Sequence, residues 1–78
     1  MTQSFDVLLD TSDLRCPMPL LKTKQSLSSM QPGQILKVVS TDSGSWRDIP
    51  AFVDLSPHKL IEKQQSDSLF LFLIEKGV

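Results

Sequence analysis

An uninterrupted apolar run, Leu69 to Ile74, constrains the fold of this 78-residue chain more than any other feature. The run is far too short to cross a bilayer as a helix, which takes about 20 residues. A strand that is apolar on both faces fits the centre of a sheet, whereas the polar segment before it, His58 to Gln65, fits an edge. Asp67 and Ser68 between them predict a tight turn. The last third of the chain therefore predicts an edge strand followed by a central strand.

The residues before this pair alternate between strand-like and helix-like patterns. Apolar residues alternate with others over residues 5–10, recur at helical spacing over 17–30, and form a β-branched run over 35–41. A short second helix follows, and because Pro50 would disturb an earlier start, we expect it to begin near Asp48. The predicted order is β-α-β-α-β-β, an α/β fold with parallel pairing and right-handed crossovers.

Two helices are expected to cover only one face of this sheet. The other face would then leave apolar side chains of the last strand available to a partner. These are either Phe70, Phe72 and Ile74 or the alternate set Leu69, Leu71 and Leu73.

Size and composition limit the classes of function. With 78 residues, 40% of them hydrophobic, we expect one domain spanning residues 1–78. The formal net charge of -1 argues against direct binding to nucleic acid or to an anionic membrane. A single cysteine cannot form an internal disulfide, so the expected location is a reducing compartment, the cytoplasm.

That cysteine is the strongest candidate for chemistry. Pro17 follows Cys16 directly, and proline fits the first position of a helix. This spacing predicts Cys16 at the helix N-cap, where unpaired N–H groups and the helix dipole favour the thiolate. Arg15 also favours the thiolate, while Asp13 opposes it. The sequence therefore predicts a nucleophilic cysteine with a lowered pKa.

The loop after the second strand should lie beside this cysteine. Both loops follow the carboxyl ends of parallel strands, where reactive groups gather in such sheets. Arg47 would then reach the sulfur, although a solvated helix residue is about as consistent with the pattern. For Asp48 we favour a helix-capping role. A catalytic pair of Cys16 with His58 is conceivable, but we favour a structural role for the histidine. One cysteine and one histidine cannot supply a four-ligand zinc site.

Several of these residues, in this order, resemble the TusA family, also called SirA-like. The resemblance extends from about residue 7 to residue 76, and the Cys-Pro-x-Pro motif together with the Asp-Ile-Pro element makes it specific. The matching positions are Leu9-Asp10, Leu14-Arg15-Cys16-Pro17-Met18-Pro19, Pro32-Gly33, Thr41-Asp42, Asp48-Ile49-Pro50 and His58.

The resemblance implies a two-layer α/β sandwich with a four-stranded mixed sheet whose last strand is central. It also implies a sulfur carrier in which Cys16 accepts sulfane sulfur as a persulfide from a cysteine desulfurase and relays it to an acceptor protein. In one branch of the family the sulfur reaches the wobble uridine of tRNA. No metal or organic cofactor belongs to this chemistry. The supporting residues that the pattern indicates are Arg15, Pro17, Pro19, Asp42, Arg47 and Asp48.

The chain departs from the family pattern at three positions. Asp13 stands where the family usually has glycine, Ser43 where it has proline, and Pro57 where glycine is common. These changes leave the partners and the sulfur pathway open. A different class of function also stays open, namely a non-catalytic interaction or regulatory module that uses the exposed sheet face.

Overall fold

The structure, a computed structural model, describes residues 4–77. Its elements follow the predicted order. They are β1 (Val7–Thr11), α1 (Met18–Ser28), β2 (Ile35–Ser40), α2 (Ser45–Asp54), β3 (Lys59–Ser66) and β4 (Leu69–Glu75).

The four strands form one mixed sheet in the order β1-β2-β4-β3. β1 and β2 are parallel, as their α1 connection predicts, and β4 runs antiparallel to both of its neighbours. The apolar run is thus a central strand and the polar β3 an edge strand, which confirms both predictions. Asp67 and Ser68 join β3 to β4, and a bulge at Ile61 shifts the register between Leu60 and Glu62.

One face of the sheet packs against the helices and holds the core. Leu36, Val38, Phe72 and Ile74 point to this face and are fully buried with Ile49 of α2. Full burial of such side chains stabilises the fold by about 1.5–3 kcal/mol each.

The opposite face carries Leu69, Leu71 and Leu73, so the second of the two predicted sets is the one turned away from the helices. The set is only partly exposed. Leu73 is buried and Leu71 is half-buried, whereas Leu8 on the edge strand β1, beyond β2, is 55% exposed.

The start of α1 differs from the prediction. Cys16 is not the N-cap, and Pro17 is not the first helical residue. Both lie in a turn before the helix, which is closed by a 2.8 Å hydrogen bond from the Met18 amide to the Arg15 carbonyl. Pro17 is the N-cap, and its peptide bond with Cys16 is cis. The helix ends at Ser28, two residues before the predicted Met30.

The start of α2 also differs. This helix begins at Ser45 and not near Asp48, so Pro50 is its sixth residue. The proline removes the hydrogen bond to the Trp46 carbonyl, a change that costs about 3 kcal/mol in a helix interior. Burial of Ile49 and Val53 on the sheet offsets that cost, because each contributes about 1.5–3 kcal/mol. Tertiary packing therefore sets this boundary.

Candidate functional site

Cys16 lies in the loop that follows β1, at the end of the sheet where the loop after β2 also opens. Its thiol is exposed and donates a hydrogen bond to Oδ2 of Asp48, with 3.1 Å between sulfur and oxygen. The two residues are 32 positions apart in sequence. The prediction that both loops meet at one end of the fold is therefore confirmed.

The electrostatics of the sulfur contradict the predicted thiolate. The hydrogen bond to Asp48 raises the pKa of the Cys16 thiol above its ordinary value, because a carboxylate can only accept and so favours the protonated thiol. Partial desolvation and the negative charges of Asp48 and Asp42 raise this pKa further. The charge of Arg47 lowers it, but this effect is the smallest. The prediction of a lowered pKa for Cys16 was wrong.

Asp48 is the residue whose role differs most from its prediction. It is the fourth residue of α2 and not its cap, which is Gly44 without any side-chain hydrogen bond. Its second oxygen, Oδ1, lies 3.5 Å from Nε of Arg47. The Arg47 side chain is 87% exposed, so water screens this ion pair. The Asp48 carboxylate thus contacts both the Cys16 thiol and the Arg47 guanidinium.

The loop that carries Asp42 is held by hydroxyl groups. The Ser45 hydroxyl donates a hydrogen bond to the Asp42 carbonyl at 2.6 Å. The Oγ atoms of Ser45 and Ser40 lie 2.9 Å apart. Oδ2 of Asp42 is buried and has no hydrogen-bond partner among the described residues. Asp42 is a predicted site residue, whereas no role in holding its loop was predicted for Ser40 or Ser45. The signal that could have found them is two serines at the end of a strand and the start of a helix.

Gly44 is a further residue of the site whose role was not predicted from the sequence. A Cβ atom placed on it would lie 2.9 Å from Oδ2 of Asp42 and 3.8 Å from Sγ of Cys16. Any side chain at this position would therefore push against the carboxylate and fill the space beside the sulfur. The glycine lets the two loops approach each other closely.

The remaining predicted site residues occupy the segment around the cysteine. Arg15 is exposed and contributes its carbonyl to the turn before α1. Pro17 is exposed beside the sulfur-bearing residue, whereas Pro19 is buried in the first turn of α1. The Pro19 carbonyl accepts a hydrogen bond from the buried hydroxyl of Thr23 at 2.8 Å. Pro19 therefore anchors the start of the helix.

Asp13 adopts a left-handed backbone conformation with φ of 70°. Its amide donates a hydrogen bond to the Thr41 hydroxyl at 2.9 Å, which ties the cysteine loop to the end of β2. Glycine adopts such a φ freely and aspartate is among the few other residues that tolerate it. The departure from the family's glycine thus has a conformational explanation.

His58 does not take part in this site. It precedes β3, and the register of β3 with β4 places it at the opposite end of the sheet from Cys16. Its Nδ1 accepts a hydrogen bond from the Gly77 amide at 2.9 Å. Burial, followed by the charge of Lys76, lowers the pKa of His58. The favoured structural role agrees with these contacts.

Neither a grouping of metal-ligating side chains nor a membrane-spanning helix is present in residues 4–77. Over that range no three or more histidine, cysteine, aspartate or glutamate side chains are grouped so that they could hold a metal ion. The same residues contain no helix that is both long and apolar enough to span a membrane.

Comparison with solved structures places this fold among known ones. The SirA-like protein from Desulfitobacterium hafniense superposes with a TM-score of 0.81, over 94% of this chain and 100% of that one. Sequence identity is 17%, so this similarity concerns the fold. It agrees with the predicted two-layer α/β architecture.

Sequence comparison gives closer relatives. The sulfur carrier protein TusA of Allochromatium vinosum is 43% identical over 73 residues, covering 94% of this chain and 96% of that protein. The sulfur carrier protein TusA of Pseudomonas aeruginosa is 38% identical over 76 residues, covering 97% and 96%. The putative sulfur carrier protein YrkI of Bacillus subtilis is 38% identical over 72 residues, covering 92% and 96%.

The fold, the exposed thiol and these relatives define the class of protein as a sulfur carrier. The profile of the family described as Sulfurtransferase TusA matches residues 7–76. The chain therefore belongs to the TusA family, and its general role is sulfur transfer. Such a role requires one protein that supplies the sulfur and another that accepts it.

Proposed function

We propose that residues 1–78 form one carrier domain that holds sulfane sulfur as a persulfide on Cys16. The observation that carries this proposal is the position of the sole cysteine. Its sulfur is exposed at the end of the sheet where two loops meet, so another protein can reach it without any opening of the fold. A reducing cytoplasm fits a chain whose single thiol has no internal disulfide partner.

The proposed donor is a cysteine desulfurase that carries a persulfide, and the first step is a thiol exchange. Cys16 Sγ gives up its proton and attacks the outer sulfur of the donor persulfide. A new sulfur–sulfur bond forms at Cys16 while the donor's sulfur–sulfur bond breaks. The donor's inner sulfur leaves with the bonding electron pair and takes up a proton. No net oxidation or reduction occurs, and no cofactor is needed to balance the step.

Release of the sulfur must involve a second protein. Because the chain has one cysteine, it has no internal thiol that could attack the Cys16 persulfide. A thiol of the acceptor protein attacks the outer sulfur, and Cys16 leaves as the thiolate and regains a proton. In this proposal Pro17 and Pro19 shape the segment that presents the sulfur, while Arg15, Asp42, Arg47 and Asp48 surround it.

Intact-mass measurement tests the persulfide. The protein is incubated with a cysteine desulfurase and cysteine and weighed without reductant. We expect a mass gain of one or more sulfur atoms that disappears with dithiothreitol and is absent in the matched variant Cys16→Ser. A sulfur adduct that persists in Cys16→Ser, or no adduct on the unaltered protein, would refute the proposed carrier site.

The same mass measurement, together with a partner-binding assay, separates the carrier from a non-catalytic interaction module. For a module, no sulfur adduct forms and partner binding survives Cys16→Ser. Leu8→Glu, on the sheet face that the helices leave open, then abolishes partner binding. For a carrier, Leu8→Glu retains the adduct.

We further propose that one route for this sulfur leads to 2-thiolation of tRNA wobble uridine. The expected result is that cells lacking the gene lose this thiouridine and regain it with the unaltered protein but not with Cys16→Ser. An unchanged level of thiouridine in those cells would refute this route and would mean that the sulfur serves a different pathway.

A further inference from the structure

The contact between Cys16 and Asp48 defines how the free carrier holds its thiol. A carboxylate has no proton to give at neutral pH, so the sulfur is the donor in the 3.1 Å hydrogen bond. This hydrogen bond exists only while the thiol keeps its proton. It also directs the sulfur toward α2, where Asp48 is held in the first turn of the helix.

We propose that Asp48 is a positioning residue that keeps the Cys16 thiol protonated and turned toward α2 until a partner protein displaces this contact. The proposal rests on the proposed function of Cys16 as the sulfur-bearing residue. In the free carrier, the Cys16 thiol is then in a resting state that reacts slowly with small electrophiles. Attack of Cys16 on a donor persulfide starts only within the complex with the sulfur donor.

The charges around the sulfur support the same resting state. From α2 and the loop before it, Asp42, Asp48 and Arg47 face Cys16, and their combined charge is negative. Arg47 is largely in water, so its positive charge is screened, whereas Oδ2 of Asp42 is buried. On the cysteine's own segment Arg15 and Asp13 carry opposite charges. The nearest groups therefore disfavour a second negative charge on the sulfur.

The chemistry of the exchange shows why this restraint matters. Attack on a donor persulfide needs the Cys16 proton to leave, and the Asp48 carboxylate is the group that holds the thiol in place. A partner that occupies the Asp48 carboxylate with its own hydrogen-bond donor removes the acceptor of the thiol hydrogen bond. Nucleophilic attack is then coupled to docking.

The pH dependence of iodoacetamide alkylation, followed by intact mass, tests the proposal. The test variant is Asp48→Asn, and the matched control is Asp54→Asn, which makes the same charge change at the exposed end of α2. We expect the alkylation profile of Asp48→Asn to move to lower pH, because the carboxylate that raises the pKa of the Cys16 thiol is gone. More of the thiol is then ionised at neutral pH, and although a less basic thiolate is a weaker nucleophile, the alkylation rate rises by about threefold. Asp54→Asn keeps the original profile.

A second variant keeps the test decisive if Asp48→Asn does not fold, as judged by circular dichroism. Asp42→Asn removes the other carboxylate charge and leaves the thiol hydrogen bond intact, so its profile should move in the same direction by less. The proposal is overturned if folded Asp48→Asn is alkylated over the same pH range as the unaltered protein or over a higher one. If only Asp42→Asn folds, the proposal is overturned when the alkylation profile of that variant does not move. Failure of Cys16 to gain sulfur from a desulfurase refutes the proposed carrier function but leaves these profiles to decide the role of Asp48.

Discussion

The left-handed backbone of Asp13 allows a sharp prediction about stability. This residue has φ of 70° in the turn that leads from β1 to the cysteine, and the turn is closed by a 3.1 Å hydrogen bond from the Leu14 amide to the Thr11 carbonyl. A residue with a Cβ loses about 1–2 kcal/mol in this conformation relative to a right-handed one. Aspartate loses less than most because its side chain is short and polar.

Three substitutions at this position separate conformation from charge. Asp13→Gly removes the conformational cost but adds about 0.5–1 kcal/mol of backbone entropy in the unfolded chain, so we expect a net gain of about 0.5 kcal/mol. Asp13→Val places a β-branched side chain at positive φ and should cost about 1–2 kcal/mol. Asp13→Asn removes the charge, tolerates the same φ, and should match the unaltered protein within about 0.5 kcal/mol.

Thermal unfolding followed by circular dichroism measures these differences. For a domain of this size, 1 kcal/mol corresponds to about 4–8 °C in Tm. The glycine variant should therefore melt about 2–4 °C higher and the valine variant at least about 4 °C lower. A valine variant as stable as the unaltered protein would refute the reasoning, because it would mean that φ at this position is not constrained. If the Tm falls in Asp13→Asn and in neither of the other variants, the carboxylate of Asp13, and not its backbone conformation, determines the stability of this turn.

Three further predictions concern the site loop, the core and pH. Gly44→Ala should move the Asp42 carboxylate and change the alkylation rate of Cys16, because the new methyl group would lie 2.9 Å from Oδ2 of Asp42; an unchanged rate contradicts the close approach. Ile49→Ala should destabilise the protein by about 2–5 kcal/mol in urea unfolding, since this side chain is fully buried, and a loss below about 1 kcal/mol would contradict its place in the core. Because the pKa of His58 is lowered in the folded protein, the unfolded chain binds the proton more readily; stability should be fully present above about pH 6.5 and fall as the pH drops below it. His58→Gln should show a flatter dependence of the urea midpoint between pH 7.5 and 5.5, and an equally steep one would remove the histidine as the cause.

The sheet could be predicted from the sequence because its signals are local. The apolar run Leu69 to Ile74 and the polar segment before it differ in composition, and that difference is enough to assign a centre and an edge. The β-branched run over residues 35–41 predicts β2 for the same reason. Each of these segments contains the information that places it.

The helix starts could not be predicted in the same way. The beginning of α1 depends on a turn closed by the Arg15 carbonyl, and the beginning of α2 depends on burial of Ile49 and Val53 against strands far away in sequence. Proline preferences alone placed one helix a residue too early and the other about three residues too late. Local propensity is a weak guide where packing supplies more free energy than the propensity costs.

The same distinction explains why the protonation state of Cys16 was mispredicted, whereas its place at the end of the sheet beside the second loop was predicted correctly. Sequence adjacency makes Arg15 the obvious neighbour, yet the group that contacts the sulfur is Asp48, which lies in the first turn of α2 and 32 positions away in sequence. The influence of a helix dipole is general and weakens beyond the first turn, and Cys16 lies one residue outside the N-cap. A hydrogen bond to a carboxylate acts directly on the thiol proton. For an exposed sulfur that must meet a donor and later an acceptor, this arrangement makes reactivity depend on which protein covers Asp48, a property that no local pattern around the cysteine could encode.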